Sequence, residues 1–358
     1  MCGFIGDIID DIVDIVEDVV DVVVDVIEDV IGWLIPMPEI PDFGDQNSEQ
    51  QAKGVLVNKF TANGHIPIVY GTRKVGGNVV FLETSGTDNQ YLYMALILSE
   101  GEINDISSIH INDNQVTWSG DIADNTQITV ASNDANFYDE ASLITCEPHF
   151  GSDSQSASSL LSTLSSWTSN HRLRGLAYLA IRFEWNADKF GSLPTVQAIV
   201  QGKKVYNPNL DSTVTGGSGS HRADTSSTWA YSDNAILQLL DYLRNERFGM
   251  GITNSYFDSN FADWQTASDV CDAQITPFSG SSQIDLMDSH CVIDTSRKAI
   301  DNVKEFVRGS RSYLNFSGGK YNILKKAFRR IMNMREAGAE IIDIGGESTR
   351  PGSKIINQ

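Results

Sequence analysis

The first 52 residues contain no lysine and no arginine; the first cation is Lys53. Secretory signals and transit peptides carry positive charge near their start, so neither is expected. Over the whole chain 26 Lys+Arg stand against 47 Asp+Glu, a formal net charge of −21. Affinity for nucleic acid comes mainly from cations that neutralise phosphates, so generic or sequence-specific nucleic-acid binding is disfavoured. No run of about 18 apolar residues occurs, and no ordinary membrane-spanning helix is expected. Cysteine is scarce: Cys2, Cys146, Cys271 and Cys291 are widely spaced, with no CxxC. A zinc site is unsupported and buried free thiols are expected, with a Cys271–Cys291 disulfide left open. His65, His110, His149, His171, His221 and His290 form no HxxxH or HExxH, and there is no GxSxG or Walker-type loop. Asp285 and Asp288 can be drawn as a carboxylate pair, although a solvated turn explains them equally well. Residues 1–326 offer no catalytic constellation, and no metal or cofactor is expected.

What is present begins with a charge pattern. Every residue from Ile8 to Ile31 is Ile, Val, Asp or Glu, and the first 52 residues hold 14 acids. Asp7, Asp11, Asp14, Asp18, Asp21, Asp25 and Glu28 step alternately by four and three, a heptad repeat rather than the period of two of a half-buried strand. The spacing predicts an amphipathic helix over 1–35. β-Branched residues and Asp are weak helix formers, so it needs partners over its apolar side. Ile8, Ile12, Ile15, Val19, Val22 and Val26 supply the seam, and Ile and Val at both seam positions favour three strands or more. The reading is self-association as a homotrimer; the alternatives are docking on the chain's own domain or lying on a membrane. The last is disfavoured because such helices normally carry Lys and Arg on their polar face. Gly32, Pro36, Pro38 and Pro41 end the helix and begin a linker over 36–53.

The body predicts an α+β, β-rich chain. Residues 54–210 show short Val-, Ile-, Phe- and Tyr-rich segments separated by Asn/Gly/Asp/Ser turns, as in sandwich or barrel-like domains. Residues 121–169, rich in Ser, Asn, Asp and Thr, read as a polar looped insertion. Residues 211–227 contain Thr215-Gly216-Gly217-Ser218-Gly219-Ser220 and read as a flexible Gly/Ser linker. An α+β domain follows over 228–326. Ser232–Arg247 has helical spacing with Ser232 or Asp233 as cap, and helices are expected at Phe261–Ala273 and Ser296–Arg308. Ser312–Phe316 and Lys320–Leu324 flank a glycine turn as a hairpin.

Several segments in order resemble the tail hub proteins of long-tailed bacteriophages, the tip attachment protein J family. Leu98-Ser99-Glu100-Gly101-Glu102-Ile103 is similar to an early "SEG" turn, and Ile66–Gly71 to an "IPxVYG" segment. Asn234–Leu243 leading into Arg247-Phe248-Gly249-Met250-Gly251 resembles a helix ending in "RYGMG". Trp264 to Cys271-Asp272 resembles the next helix with its "W…CD" spacing. Cys291–Phe306, with Arg297 and Lys298, looks like a following strand–helix step, and Asn315–Lys325 like its hairpin. The resemblance implies a trimeric ring capping the tail tube, with tail-tube and other tail-tip proteins as partners and a virion location after synthesis in the host cytoplasm. Its sites are protein–protein interfaces rather than catalytic centres. Relatives continue through further domains, so the chain reads as a shortened hub, and receptor recognition is left to what lies beyond it.

Ala337–Gly352, which includes Glu340-Ile341-Ile342-Asp343-Ile344-Gly345 and Glu347-Ser348-Thr349-Arg350-Pro351-Gly352, resembles the dihydropteroate synthase signature. By that resemblance residues 327–358 are a fragment of a β/α unit joined near Lys325–Phe328. Asp343 would face a pterin, and Ser348, Thr349 and Arg350 would belong to a mobile loop. A (β/α)8 barrel takes about 250 residues and builds its site from several strand ends, so enzyme activity is not expected. Three functions compete: a structural tail hub, which is preferred, a folate-enzyme fragment, and a secreted or membrane-associated adhesin.

Overall fold

The computed structural model describes residues 58–60, 64–190, 192–276 and 283–324. The expected seam of Ile8, Ile12, Ile15, Val19, Val22 and Val26, the 36–53 linker, and Asp343, Ser348, Thr349 and Arg350 lie outside the described residues. Among the described residues the chain is strand-rich with three α-helices, an α+β, β-rich fold. It forms two units. Unit 1 takes described residues from 58–205, 230–233 and 290–298; unit 2 takes those from 206–229, 234–289 and 299–324.

Unit 1 is organised by strict alternation along two central strands. β5 (Tyr91–Glu100) and β12 (Leu176–Glu184) pair antiparallel within a six-stranded sheet. The sheet runs β1 (Lys59–Phe60), β4 (Asn78–Ser85), β5, β12, β11 (Ile144–His149), β8 (Ile128–Thr129). Successive side chains of a strand point to opposite faces. Leu92, Met94, Leu96 and Leu98 of β5 therefore join Leu179, Ile181 and Phe183 of β12 in one core. Tyr93, Ala95, Ile97, Tyr178 and Ala180 lie on the other face.

A second sheet runs β14 (Ala230–Tyr231), β13 (Val196–Val205), β6 (Ile103–Ile111), β7 (Asn114–Gln115), with β3 (Thr72–Val75) also on β13. Its Ile103, Ile106, Ile109, Ile111, Val196, Ala198 and Val200 enter the same first core. Residues of two sheets thus meet in one apolar layer. Two ribbons complete the unit: β2 (Ile68–Tyr70) with β17 (Cys291–Ile293), and β9 (Tyr138–Asp139) with β10 (Ala141–Ser142).

Residues 121–169, expected as a polar looped insertion, include short strands between their turns. They supply β8 and the fully buried β11, and Leu160, Leu161, Leu164 and Trp167 cover the second face of the six-stranded sheet. The segment reads as a loop because β11 turns Thr145, Glu147 and His149 toward that face, where the side chains of an ordinary strand would be apolar.

Unit 2 contains α1 (Ala235–Arg244), α2 (Ala262–Cys271) and α3 (Ala299–Gly309). Beside them lie ribbons β15 (Gln274–Ile275) with β16 (Ile284–Asp285) and β18 (Tyr313–Ser317) with β19 (Lys320–Leu324). The apolar positions 235, 236, 239, 240 and 243 are all buried, and α1 packs against both α2 and α3. Its cap is Asn234 rather than Ser232 or Asp233. Asn234 Oδ1 accepts from the amides of Ile236 and Leu237 at 3.0 and 3.3 Å, while its Nδ2 donates to Ser268 O and Asp272 Oδ1. A capping residue that also ties down α2 fixes the start more firmly than a partly exposed Ser or Asp.

The 211–227 stretch, read as flexible from its glycines, is cross-tied. Ser218 N donates to Asn209 O, Ser212 N to Gly219 O and His221 N to Leu210 O.

Candidate interaction site and its buried anchors

The hub-like motif residues occupy turns that stop or redirect elements. Glu100 ends β5 and is buried, its amide donating to Pro67 O at 2.8 Å. Gly101 follows with φ +87° and donates to Gly175 O at 2.8 Å. The stem of Lys203 lies against it, so a Cβ at Gly101 would stand 3.3 Å from Lys203 Cδ. Beside this turn Glu102 pairs with Lys204 at 2.7 Å.

In unit 2 the Arg247–Gly251 stretch is the stop signal of α1. Asn245 Oδ1 accepts from the amides of Arg247 and Phe248. Met250 N, Gly251 N and Ile252 N then return to the carbonyls of Tyr242, Asn245 and Leu243. These bonds satisfy carbonyls that a helix end leaves unpaired. A Cβ at position 249 would lie 1.8 Å from Tyr242 O, so glycine alone fits there. Phe248 reaches the Tyr242 ring at 6.4 Å and Met250 is exposed. Trp264 is buried in α2 against Phe257, its Nε1 donating to Tyr321 O at 3.4 Å. This joins α2 to the β18–β19 hairpin.

Arg297 and Lys298 are exposed and follow β17 in unit 1. The turn before them is set by Asp294, whose Oδ1 accepts from Ser296 N and Oγ at 2.8 and 2.6 Å. Burial opposes ionisation of Asp294, and the Ser296 bonds outweigh it, holding the carboxyl below its usual range. Within unit 2 Arg247–Gly251 forms the turn that ends α1, and Trp264 lies in α2, which packs on α1. Glu100–Gly101 and Arg297–Lys298 belong to unit 1.

Two buried polar clusters, neither singled out by the sequence, anchor these frameworks. In unit 1 Glu147 is 3% exposed. It accepts from Ser158 Oγ at 2.7 Å, Leu160 N at 2.7 Å, and Ser159 N and Oγ, both at 3.1 Å. His149 lies two residues along on the same face, its Nε2 3.5 Å from Glu147 Oε1 and its ring stacked on Tyr178 at 4.3 Å. Burial alone would raise the Glu147 pKa. His149, Ser158 and the two amides reverse this and hold it at about 2. His149 makes no hydrogen bond with good geometry, so the Ser158 hydroxyl and the amides do most of the holding.

In unit 2 Asp211 is almost fully buried and accepts from Tyr206 OH, Thr213 N and Oγ1, and Arg222 NH1 at 3.1 Å. Burial opposes its ionisation too, and the Thr213 and Tyr206 bonds with the Arg222 charge hold it below the usual range. Arg244, at the end of α1, lies over the rings of Tyr206 and Trp229 at 5.1 and 5.7 Å. Its Nε donates to Asn254 Oδ1 at 2.8 Å and its NH2 to Ala223 O. Burial depresses its pKa. A spaced Glu–x–His on one strand face and an aromatic–Arg–aromatic sandwich were the available signals. The first was hidden by the loop reading of its segment.

These arrangements hold loops. Ser158 donates to Glu147, not to His149, and all three are buried. Ser108 Oγ and His110 Nε2 lie 3.1 Å apart on β6, the pairing a nucleophile and base would need. No acceptor meets His110 Nδ1, however, while the Asp113 carboxylate pairs with Lys74 at 3.7 Å. The orienting third group is therefore missing from that pair. Burial, then Lys74, pushes the His110 pKa down. Asp285 lies in β16 and accepts from the Gln274 side chain, while Asp288 bridges Asn234 through the backbone. Cys146 is a buried free thiol whose pKa is pushed up by burial and by Glu147.

Comparison with known proteins divides the chain. It is 24% identical over 330 aligned residues to baseplate hub protein pb3 of Escherichia phage T5, covering 77% of this chain and 33% of that protein. The chain thus spans about a third of the length of that relative. The sequence model of the family described as "Pterin binding enzyme" matches residues 314–358. Dihydropteroate synthases of Clostridium beijerinckii and Bacillus subtilis are 45% identical over 65 residues and 54% over 41. They cover 15% and 12% of this chain and 24% and 14% of their own length. A solved chain of the virion of a native gene transfer agent particle aligns with 42% of this chain and 29% of its own, at 14% identity and a TM-score of 0.30. The pterin-type match begins inside β18, earlier than the Lys325–Phe328 join read from the sequence. Residues 314–324 therefore match one family by sequence while packing in unit 2, where Lys320 Nζ donates to Ser255 O and Phe257 O.

Proposed function

We propose that this chain is a structural component of a bacteriophage tail tip: a trimeric hub of the tip attachment protein J type. In this reading it caps the tail tube and supports host attachment and DNA delivery. The observation that carries the reading is the similarity to a baseplate hub protein over 77% of the chain. The Ile8–Val26 seam is the trimer contact, because Ile and Val at both seam positions favour three strands. Arg247–Gly251, Trp264, Glu100–Gly101 and Arg297–Lys298 frame the surfaces that meet tail-tube and other tail-tip proteins. The protein resides in the virion after synthesis in the host cytoplasm. Light scattering on the purified chain with co-sedimentation on tail-tube protein tests this. A trimer that sediments with tubes is expected; a monomer that stays in solution overturns it.

The match over residues 314–358 favours a second reading, a folate-enzyme fragment. Forty-five residues are far fewer than the roughly 250 of a barrel whose site draws on several strand ends. We read this segment as inactive on its own. Calorimetry with a pterin should give no heat of binding, and micromolar affinity would reverse that assignment.

A further inference from the structure

β17 is a short strand that reaches unit 1 from far along the chain. It pairs antiparallel with β2 through three positions, Cys291 with Tyr70, Val292 with Val69 and Ile293 with Ile68. The strand below is fully buried: Ile68, Val69 and Tyr70 are each 0% exposed. The strap above is shallow, with only Ile293 buried and His290, Asp294 and Ser296 exposed. A side-chain bond helps to fix each end. Thr72 N donates to His290 Nδ1 at 3.0 Å, and Thr295 Oγ1 donates to Ile66 O at 3.0 Å.

β2 itself is seated independently of the strap. Val69 N donates to Ser99 Oγ and Glu100 N to Pro67 O. Its backbone also lies so close to β13 that a Cβ at Gly202 would stand 2.1 Å from Val69 O. Lifting the strap would therefore leave a rigid strand edge of unpaired amides and carbonyls, a template for another strand. The residues on both sides of the strap, up to Ser289 and from Ala299, belong to unit 2.

We propose that β17 is an exchangeable strap, and that in an assembly its place on β2 is taken by residues 290–295 of a second copy of this chain. The occupant is identified by fit: these residues already match the β2 edge in register and in side-chain packing. Exchanging an identical element between copies forms the same bonds twice and costs little. The proposal stands apart from the tail reading, since it concerns only which copy supplies the strand.

Opposed residues of an antiparallel pair lie about 4.5–5.5 Å apart at Cα, within reach of a disulfide. The test is a Tyr70→Cys variant of the full chain, which sets a second thiol opposite the native Cys291. The protein is concentrated, oxidised and run on a denaturing gel without reductant, beside the unsubstituted chain. Covalent multimers are expected in the variant lane alone, giving way to an internally bridged monomer as the protein is diluted before oxidation. Internal bridging at every concentration overturns the proposal. If Tyr70→Cys fails to fold, Val69→Cys with Val292→Cys in a Cys291→Ser chain gives the same readout one position along. It is judged by the same two outcomes.

Discussion

Glu147 in unit 1 and Asp211 in unit 2 are both buried carboxylates, and the two units neutralise them by different means. Glu147 is held by hydroxyls and backbone amides of the 158–160 turn, which lies in the next stretch of chain beyond its own strand. Asp211 is held by a phenol, a threonine and the half-exposed guanidinium of Arg222. In unit 1 the anion acts as a cap, collecting amides that would otherwise be buried without partners. In unit 2 it is one pole of an ion pair set beside the tilted rings around Tyr206. The first arrangement depends on one residue; the second spreads its load.

Glu147→Ala should give the largest effect, about 3–5 kcal/mol lost, because it leaves several buried donors unsatisfied at once. Urea unfolding of the variant measures it, and native-state hydrogen exchange should place the loss in unit 1 with unit 2 amides unchanged. A loss shared equally by both units would break the comparison. The same carboxyl predicts a pH dependence. Its pKa is about 2 when folded against 4.5 for the ordinary group. Its contribution is therefore complete above pH 4.5 and disappears as pH falls toward 2. Stability measured across that window should slope in the parent chain, and the part of the slope due to this group should vanish in Glu147→Gln. Asp211 is also depressed, so its contribution too is lost on acidification.

Gly249→Ala should cost about 2–3 kcal/mol, since its methyl would overlap Tyr242 O and the α1 stop must shift. Thermal unfolding followed by aromatic circular dichroism reports it. Asp211→Asn should cost less, about 1–2 kcal/mol, since the amide keeps most contacts and Arg222 is partly solvated. A cost equal to that of Glu147→Ala would show that the two clusters are equally centralised. Arg297→Ala with Lys298→Ala should change stability by under about 0.5 kcal/mol, while weakening association with tail-tube protein in the sedimentation assay.

Much of this fold is legible where one periodicity dominates. Positions 235–243 repeat as a helix, while Tyr91–Leu98 is apolar throughout and reads as a strand by composition, because both of its faces are buried. Ile144–His149 was not legible. Its inward polar residues are satisfied by a turn further along the chain, and that pairing leaves no period. The glycines at 216–219 read as a flexible linker, and the backbone bonds of their neighbours to Asn209 and Leu210 had no local signal. The motif at 247–251 was recognisable as a string, while its role as a helix stop needed the Tyr242 carbonyl. The contributions of 230–233 and 290–298 to unit 1 are long-range and had no local signal.

That scattered origin sets a clock on synthesis. When Val205 leaves the ribosome, unit 1 still lacks β14 and β17, and Ile293 is 88 residues away. At about 5–20 residues per second, this leaves the β2 edge uncovered for roughly 4–18 seconds on every nascent chain. A polysome lines up many such chains with the same edge open. Translation is thus a further interval in which the edge stands open to other copies of the chain.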